Sequence, residues 1–223
     1  MDQSPKHRPK MKKLNLRNII GQEEFDYQSL SSALRSYASP RDKITSLLRS
    51  GTIIRVRKGL YVFGENDRKR VFSKELLANL VLGPSYISLE YALQYYGLLP
   101  ERVETITSVT VARSRVFPTP VGTFSYRQIP LRAFAAGMDR VSIDQQISFM
   151  IALPEKALID KVQNDRGGVF KKPEDIRRYL EEDLRLTIMD LKDLRAERLV
   201  EYATAYGSQK TLLVANHLKE LGK

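Results

Sequence analysis

Eight residues in two neighbouring stretches carry the side chains best suited to holding a polyanion. Arg41, Lys43, Thr45, Ser46 and Arg49 fall within residues 40–50, and Arg55, Arg57 and Lys58 follow directly. An arginine forks onto guanine or phosphate, and the hydroxyls of Thr and Ser donate to phosphates or base edges. The formal net charge of +11 is unevenly spread: residues 1–75 hold 17 Lys and Arg against 8 Asp and Glu, leaving 20 against 18 for the rest. Positive charge gathered on a folded domain attracts phosphate backbones by counterion release. A basic run alone serves equally well as a solvated surface, so the elements presenting it must decide.

Other chemistries find little support. The chain has no Cys, which removes disulfides, thiolate metal sites and thiol nucleophiles. Its two histidines, His7 and His217, lie near opposite ends, so a histidine-based triad or metal site requires distant termini to meet. Glu155 and Asp160 are five residues apart in one helical stretch, and project about 140° from each other. Glu181, Glu182 and Asp183 read as a solvated helix end. Residues 165–169, DRGGV, lack the Lys-Ser or Lys-Thr of a phosphate loop, and no G-x-G-x-x-G occurs. Tyr86, Tyr91, Tyr95 and Tyr96 suit base stacking, but tyrosines at helical spacing more often pack a helix on a sheet. No catalytic constellation, metal site or cofactor site is expected.

The elements that position the cationic set are legible. Leu14, Leu16, Ile19 and Ile20 mark a short first helix, and Phe25, Leu30, Ala33 and Leu34 a second, helical to about Tyr37. Ser39 precedes Pro40, with Asp42 three residues on, a helix start. The third helix runs to about Ser50, with Ile44, Leu47 and Leu48 on its apolar face and Gly51 as its stop. Residues 52–57 and 60–63 then form a hairpin closed at Lys58-Gly59. Three helices and a basic hairpin in that order form a winged helix-turn-helix, whose third helix lies in the major groove.

Residues 1–13 read as a flexible basic tail, residues 14–72 as the DNA-binding domain and residues 73–223 as a second domain. In the latter, Ser73 caps a helix ended by Gly83-Pro84, and Ser85 or Ser88 opens another ended by Gly97. Residues 105–111 and 122–129 read as strands, with Pro118-Thr119-Pro120 as a loop between them. Helices follow from Pro154, over residues 173–179, 188–194 and 211–221. The fold class expected is α+β: an N-terminal winged helix-turn-helix, then a mixed α/β domain with a helical C-terminal region. No apolar run nears the roughly 20 residues of a membrane span, and the N-terminus has no secretory pattern, so a cytoplasmic protein is expected.

Several ordered segments carry a family resemblance: TIIRVRKGLYVF at 52–63, SYISLEYALQYYGLLPE at 85–101, ITSVTVAR at 106–113, GTFSYRQI at 122–129 and LPEKALIDKV at 153–162. Together they resemble the AbiEi-type antitoxin and transcriptional regulator family of bacterial abortive-infection, type IV toxin-antitoxin systems. The resemblance implies a repressor that binds repeats in its own promoter, and a C-terminal domain that counteracts a nucleotidyltransferase-like toxin. Neutralisation in this family is described without a stable toxin complex, so direct toxin contact is not implied. The residues alone leave one alternative open: a winged-helix module that docks a protein or RNA without neutralising a toxin.

Overall fold

The computed structural model describes residues 16–144, 147–166 and 170–221. The chain is α+β and divides into two compact units, Met1–Phe72 and Ser73–Lys223. The proposed basic tail, residues 1–13, lies outside the described residues.

In the first unit the order is α1 (Leu16–Ile20), β1 (Glu24–Asp26), α2 (Tyr27–Ala33), α3 (Pro40–Arg49), β2 (Ile53–Arg57) and β3 (Leu60–Phe63). The three strands form an antiparallel sheet in the order β1-β3-β2. Its core joins Leu16 of α1 to Leu30 and Ala33 of α2, Ile44 and Leu47 of α3, and Phe25, Ile53, Tyr61 and Phe63 of the sheet. The Phe25 and Phe63 rings lie 4.8 Å apart.

Strand β1 corrects the expectation that Phe25 begins the second helix. A three-residue strand has too few positions to show alternation, and its pairing of Phe25 with Tyr61 is set by the sheet. Helix α2 starts after Asp26, whose side chain accepts from the Ser29 amide at 2.8 Å. It ends at Ala33 rather than near Tyr37. Helix α3 starts at Pro40 as expected, but Ser39 makes no side-chain cap bond. Gly64 is fixed sterically, since a Cβ there falls 1.8 Å from the Gly51 carbonyl oxygen.

The second unit holds α4 (Lys74–Val81), β4 (Ser85–Ile87), α5 (Leu89–Tyr95), β5 (Ile106–Thr110), β6 (Arg115–Thr119), β7 (Gly122–Gln128), α6 (Leu131–Phe134), β8 (Met138–Ser142) and β9 (Ser148–Ala152). It continues with α7 (Pro154–Asn164), α8 (Pro173–Arg178) running into a π turn (Tyr179–Asp183), α9 (Ile188–Lys192), α10 (Ala196–Tyr206) and α11 (Gln209–Leu221). The strands form one sheet in the order β6-β7-β5-β4-β9-β8. Pairs β5–β7 and β4–β9 are parallel and the others antiparallel. Helix α4 packs on the sheet, where Tyr126 of β7 donates to the Ala78 carbonyl at 2.5 Å. Helices α5 and α7 pack on each other, and α10 and α11 pack against α7.

Several expectations change here. Pro118 and Thr119 belong to β6 rather than to a loop; β6 is an edge strand, where a missing N–H is tolerated. Ser85 lies in β4 and opens no helix. Strands β8 and β9 and helix α10 were not foreseen; β8 is largely exposed and carries no apolar alternation. Ser73 does cap α4, accepting from the Leu76 amide at 3.0 Å.

Candidate nucleic-acid interface

Helix α3 rests on Ile44 and Leu47, and this determines which side chains it offers outward. Arg41, Thr45 and Arg49 follow at steps of four, each turned about 40° from the last, and all three are exposed. Thr45 donates its hydroxyl to the Arg41 carbonyl at 3.1 Å, leaving its oxygen lone pairs outward. Ser46 is exposed and Lys43 half-buried. These two stand at the edge of the stripe and border a cleft of about 740 Å³, lined also by Leu16, Leu34, Tyr37 and Phe63. The Lys43 ammonium lies 5.3 Å from the Tyr37 ring centre, which holds the side chain beside the helix. The five residues therefore divide: Arg41, Thr45 and Arg49 form the outer face, Ser46 and Lys43 its cleft-side border.

In the sequence Asp42 reads only as a helix-start charge. It is exposed and seven residues from Arg49, so the two project within about 20° of each other. The outer face therefore contains one carboxylate.

The hairpin presents its cations through a bulge. Ile53 and Val56 are both buried although three residues apart, which strict two-residue alternation forbids. The register slips between Arg55 and Arg57, turning Val56 inward and leaving Arg55 and Arg57 exposed on either side. Lys58 is exposed at the turn, and Gly59 supplies its φ of +89°. Neither the bulge nor its effect on side-chain direction can be read from composition.

Two other acids were missed and shape the electrostatics. Glu23 and Glu24 are buried and hold Arg17 at 2.5 Å and Arg70 at 2.7 Å. Those arginines serve the domain's own structure. Among the described residues, no ion pair involves Arg41, Lys43, Arg49, Arg55 or Lys58.

In the second unit, Glu155 and Asp160 serve separate networks. Glu155 accepts from the Arg195 amide at 3.0 Å and lies 3.8 Å from Arg198. Asp160 accepts from Ser88 at 2.6 Å and pairs with Lys156 and Tyr206. Lys156 is fully buried between the Tyr86 and Tyr206 rings, and desolvation lowers its pKa despite Asp160. Tyr86 is buried, Tyr91 and Tyr96 half-buried, and Tyr95 packs edge-on against Tyr96 and Phe149. Among the described residues no group of three His, Asp or Glu is placed to hold a metal ion, and no helix is long and apolar enough to cross a membrane.

No protein-family model matches the sequence, and no curated protein matches it. Among solved structures, the crystal structure of the RV2827C protein from Mycobacterium tuberculosis is similar, with a TM-score of 0.57 at 15% identity. The match covers 94% of this chain and 76% of that one. At that identity the likeness concerns the fold alone.

Proposed function

We propose that the first unit is a winged helix-turn-helix that binds duplex promoter DNA, and that the protein is a transcriptional repressor of its own operon. The observation that carries this reading is the pairing of the Arg41-Thr45-Arg49 stripe with the hairpin cations Arg55, Arg57 and Lys58 in one small domain. The element order, helix-strand-helix-helix-strand-strand, suits insertion of α3 into the major groove while the β2–β3 turn touches the flanking backbone. Arg41 and Arg49 then fork onto guanine edges or phosphates, Thr45 accepts at a base, and Ser46 and Lys43 hold one groove wall. The wing cations position the helix without reading sequence.

The antitoxin role extends this proposal and rests on the resemblance to the AbiEi-type family. In that reading the second unit counteracts a nucleotidyltransferase-like toxin encoded alongside, and the chain itself carries no enzymatic activity or cofactor.

A promoter-reporter fusion tests the first part. Expression of the protein is expected to silence its own promoter and Arg49→Ala to restore output; unchanged output in both cases contradicts repression. Co-expression with the neighbouring gene tests the second. Growth rescue supports the antitoxin role, and a harmless neighbour or failed rescue removes it while leaving DNA binding untouched.

A further inference from the structure

The parallel register of β5 and β7 sets Thr107 beside Ser125 and Val109 beside Arg127. Both strands are interior to the six-stranded sheet, and the helix-covered face of such strands is ordinarily apolar. Here Thr105, Thr107, Ser125 and Arg127 line one cavity of about 360 Å³, a size suited to a small molecule. Its other walls are Leu89 and Glu90 at the start of α5, Val103, and Asn164 and Asp165 at the end of α7.

The polar groups are not equally engaged. Thr107 is committed to the fold: it donates to the Ser88 carbonyl at 2.7 Å and accepts from the Tyr91 amide at 3.1 Å. Ser125 is only 8% exposed, lines the cavity, and its hydroxyl has no partner among the described residues. Arg127 is exposed at the mouth and enters no ion pair among the described residues. Residues 105–138 contain no Asp or Glu at all, so the strands offer it no carboxylate. On the helix side, Asp165 is engaged by Lys161 at 2.5 Å and by the Tyr179 hydroxyl at 2.6 Å, with the Lys210 ammonium 2.5 Å from its backbone carbonyl, whereas Glu90 meets Lys161 at the longer 3.1 Å. The charges of that wall balance, and the Glu90 carboxylate, 37% exposed, is its least engaged acid.

A cavity with an unpaired guanidinium at one end and a partly engaged, accessible carboxylate at the other complements a ligand carrying both signs. Among the described residues no aromatic ring lines it, so they offer nothing for a nucleobase to stack on. We propose that this cavity binds a small zwitterion of the amino-acid class. The carboxylate sits on the Arg127 fork, with Ser125 donating about 6.6 Å back along the strand. The ammonium donates to Glu90. The site lies wholly in the second unit and is independent of the DNA-binding proposal.

Calorimetric titration of the full chain with the common amino acids, inorganic phosphate and a sugar phosphate tests this. At least one amino acid is expected to bind saturably and to raise the melting temperature. Arg127→Gln, at an exposed position, is expected to weaken that binding at least about tenfold, and Ser125→Ala to weaken it measurably. Melting curves without ligand show that both variants fold. Absence of binding by every amino acid, binding of phosphate or sugar phosphate in their place, or undiminished affinity in Arg127→Gln would each overturn the proposal.

Discussion

The amide of Tyr27 donates to the carbonyl of Gly59 over 2.9 Å, tying the first residue of α2 to the tip of the β2–β3 turn. The helix that supports α3 and the hairpin that flanks it are thereby joined through backbone atoms. Gly59 sits at φ +89° with open space around its Cβ position, so a side chain there is strained without clashing. Gly59→Ala is expected to destabilise the first unit by about 1–2 kcal/mol. A lowered denaturant midpoint at unchanged m-value is the expected signature; an unchanged midpoint contradicts the importance of that conformation.

Helix and wing are expected to fail differently. Arg49→Ala removes a stripe residue and costs about 1–3 kcal/mol on the preferred duplex, with relaxed preference at one position. Lys58→Ala weakens all duplexes alike and reduces the salt slope by about one. Anisotropy titrations over a range of salt separate the two. A uniform loss from Arg49→Ala reassigns that residue to the backbone.

Glu23 is a structural centre of the first unit. Its Oε1 accepts from Arg17 at 2.5 Å and from the Lys69 and Arg70 amides at 2.8 and 3.0 Å. Glu23→Ala strands a largely buried guanidinium and two amides, for an expected loss of about 3–5 kcal/mol. Glu23→Gln keeps an acceptor and is expected to lose less. Equal stability of Glu23→Ala and the parent in urea contradicts the assignment.

Alkaline pH is expected to unfold the second unit through its tyrosines. Burial is the first cause raising the pKa of Tyr86, Tyr179 and Tyr206, with Asp160 or Asp165 adding to it, and Tyr96 is pushed up to about 12. Phenols that hold their protons more tightly when folded contribute stability that is complete below about pH 10 and lost as pH rises above it. Lys156, whose pKa burial lowers, acts oppositely: its contribution grows with pH and is complete by about pH 10.5, so it does not mask the loss beyond. Phenolate absorbance from the buried tyrosines is expected to appear together with loss of circular dichroism. Their ionisation while the fold persists contradicts the assignment.

The α3 region was legible because Pro40, Gly51 and the Ile44-Leu47-Leu48 spacing are local signals. So were the hairpin and the identity of its cations. What stayed hidden depended on partners distant in sequence. Strand β1 exists because Phe25 meets Tyr61, and the outward turn of Arg55 and Arg57 depends on a bulge against β3. Nothing near Glu24 in the sequence foretells its pairing with Arg70. The Ser125–Arg127 face was invisible for a similar reason: it requires two parallel strands joined through the edge strand β6.

The most direct test of the DNA-binding account is a mobility-shift competition on the full chain with its own upstream promoter duplex, at about physiological salt. An unrelated duplex of equal length serves as competitor. The promoter complex is expected to survive an excess of that competitor, and to be displaced more readily in Arg49→Ala. Equal displacement by both duplexes would contradict sequence-specific binding and leave the basic face as a docking surface for a protein or RNA.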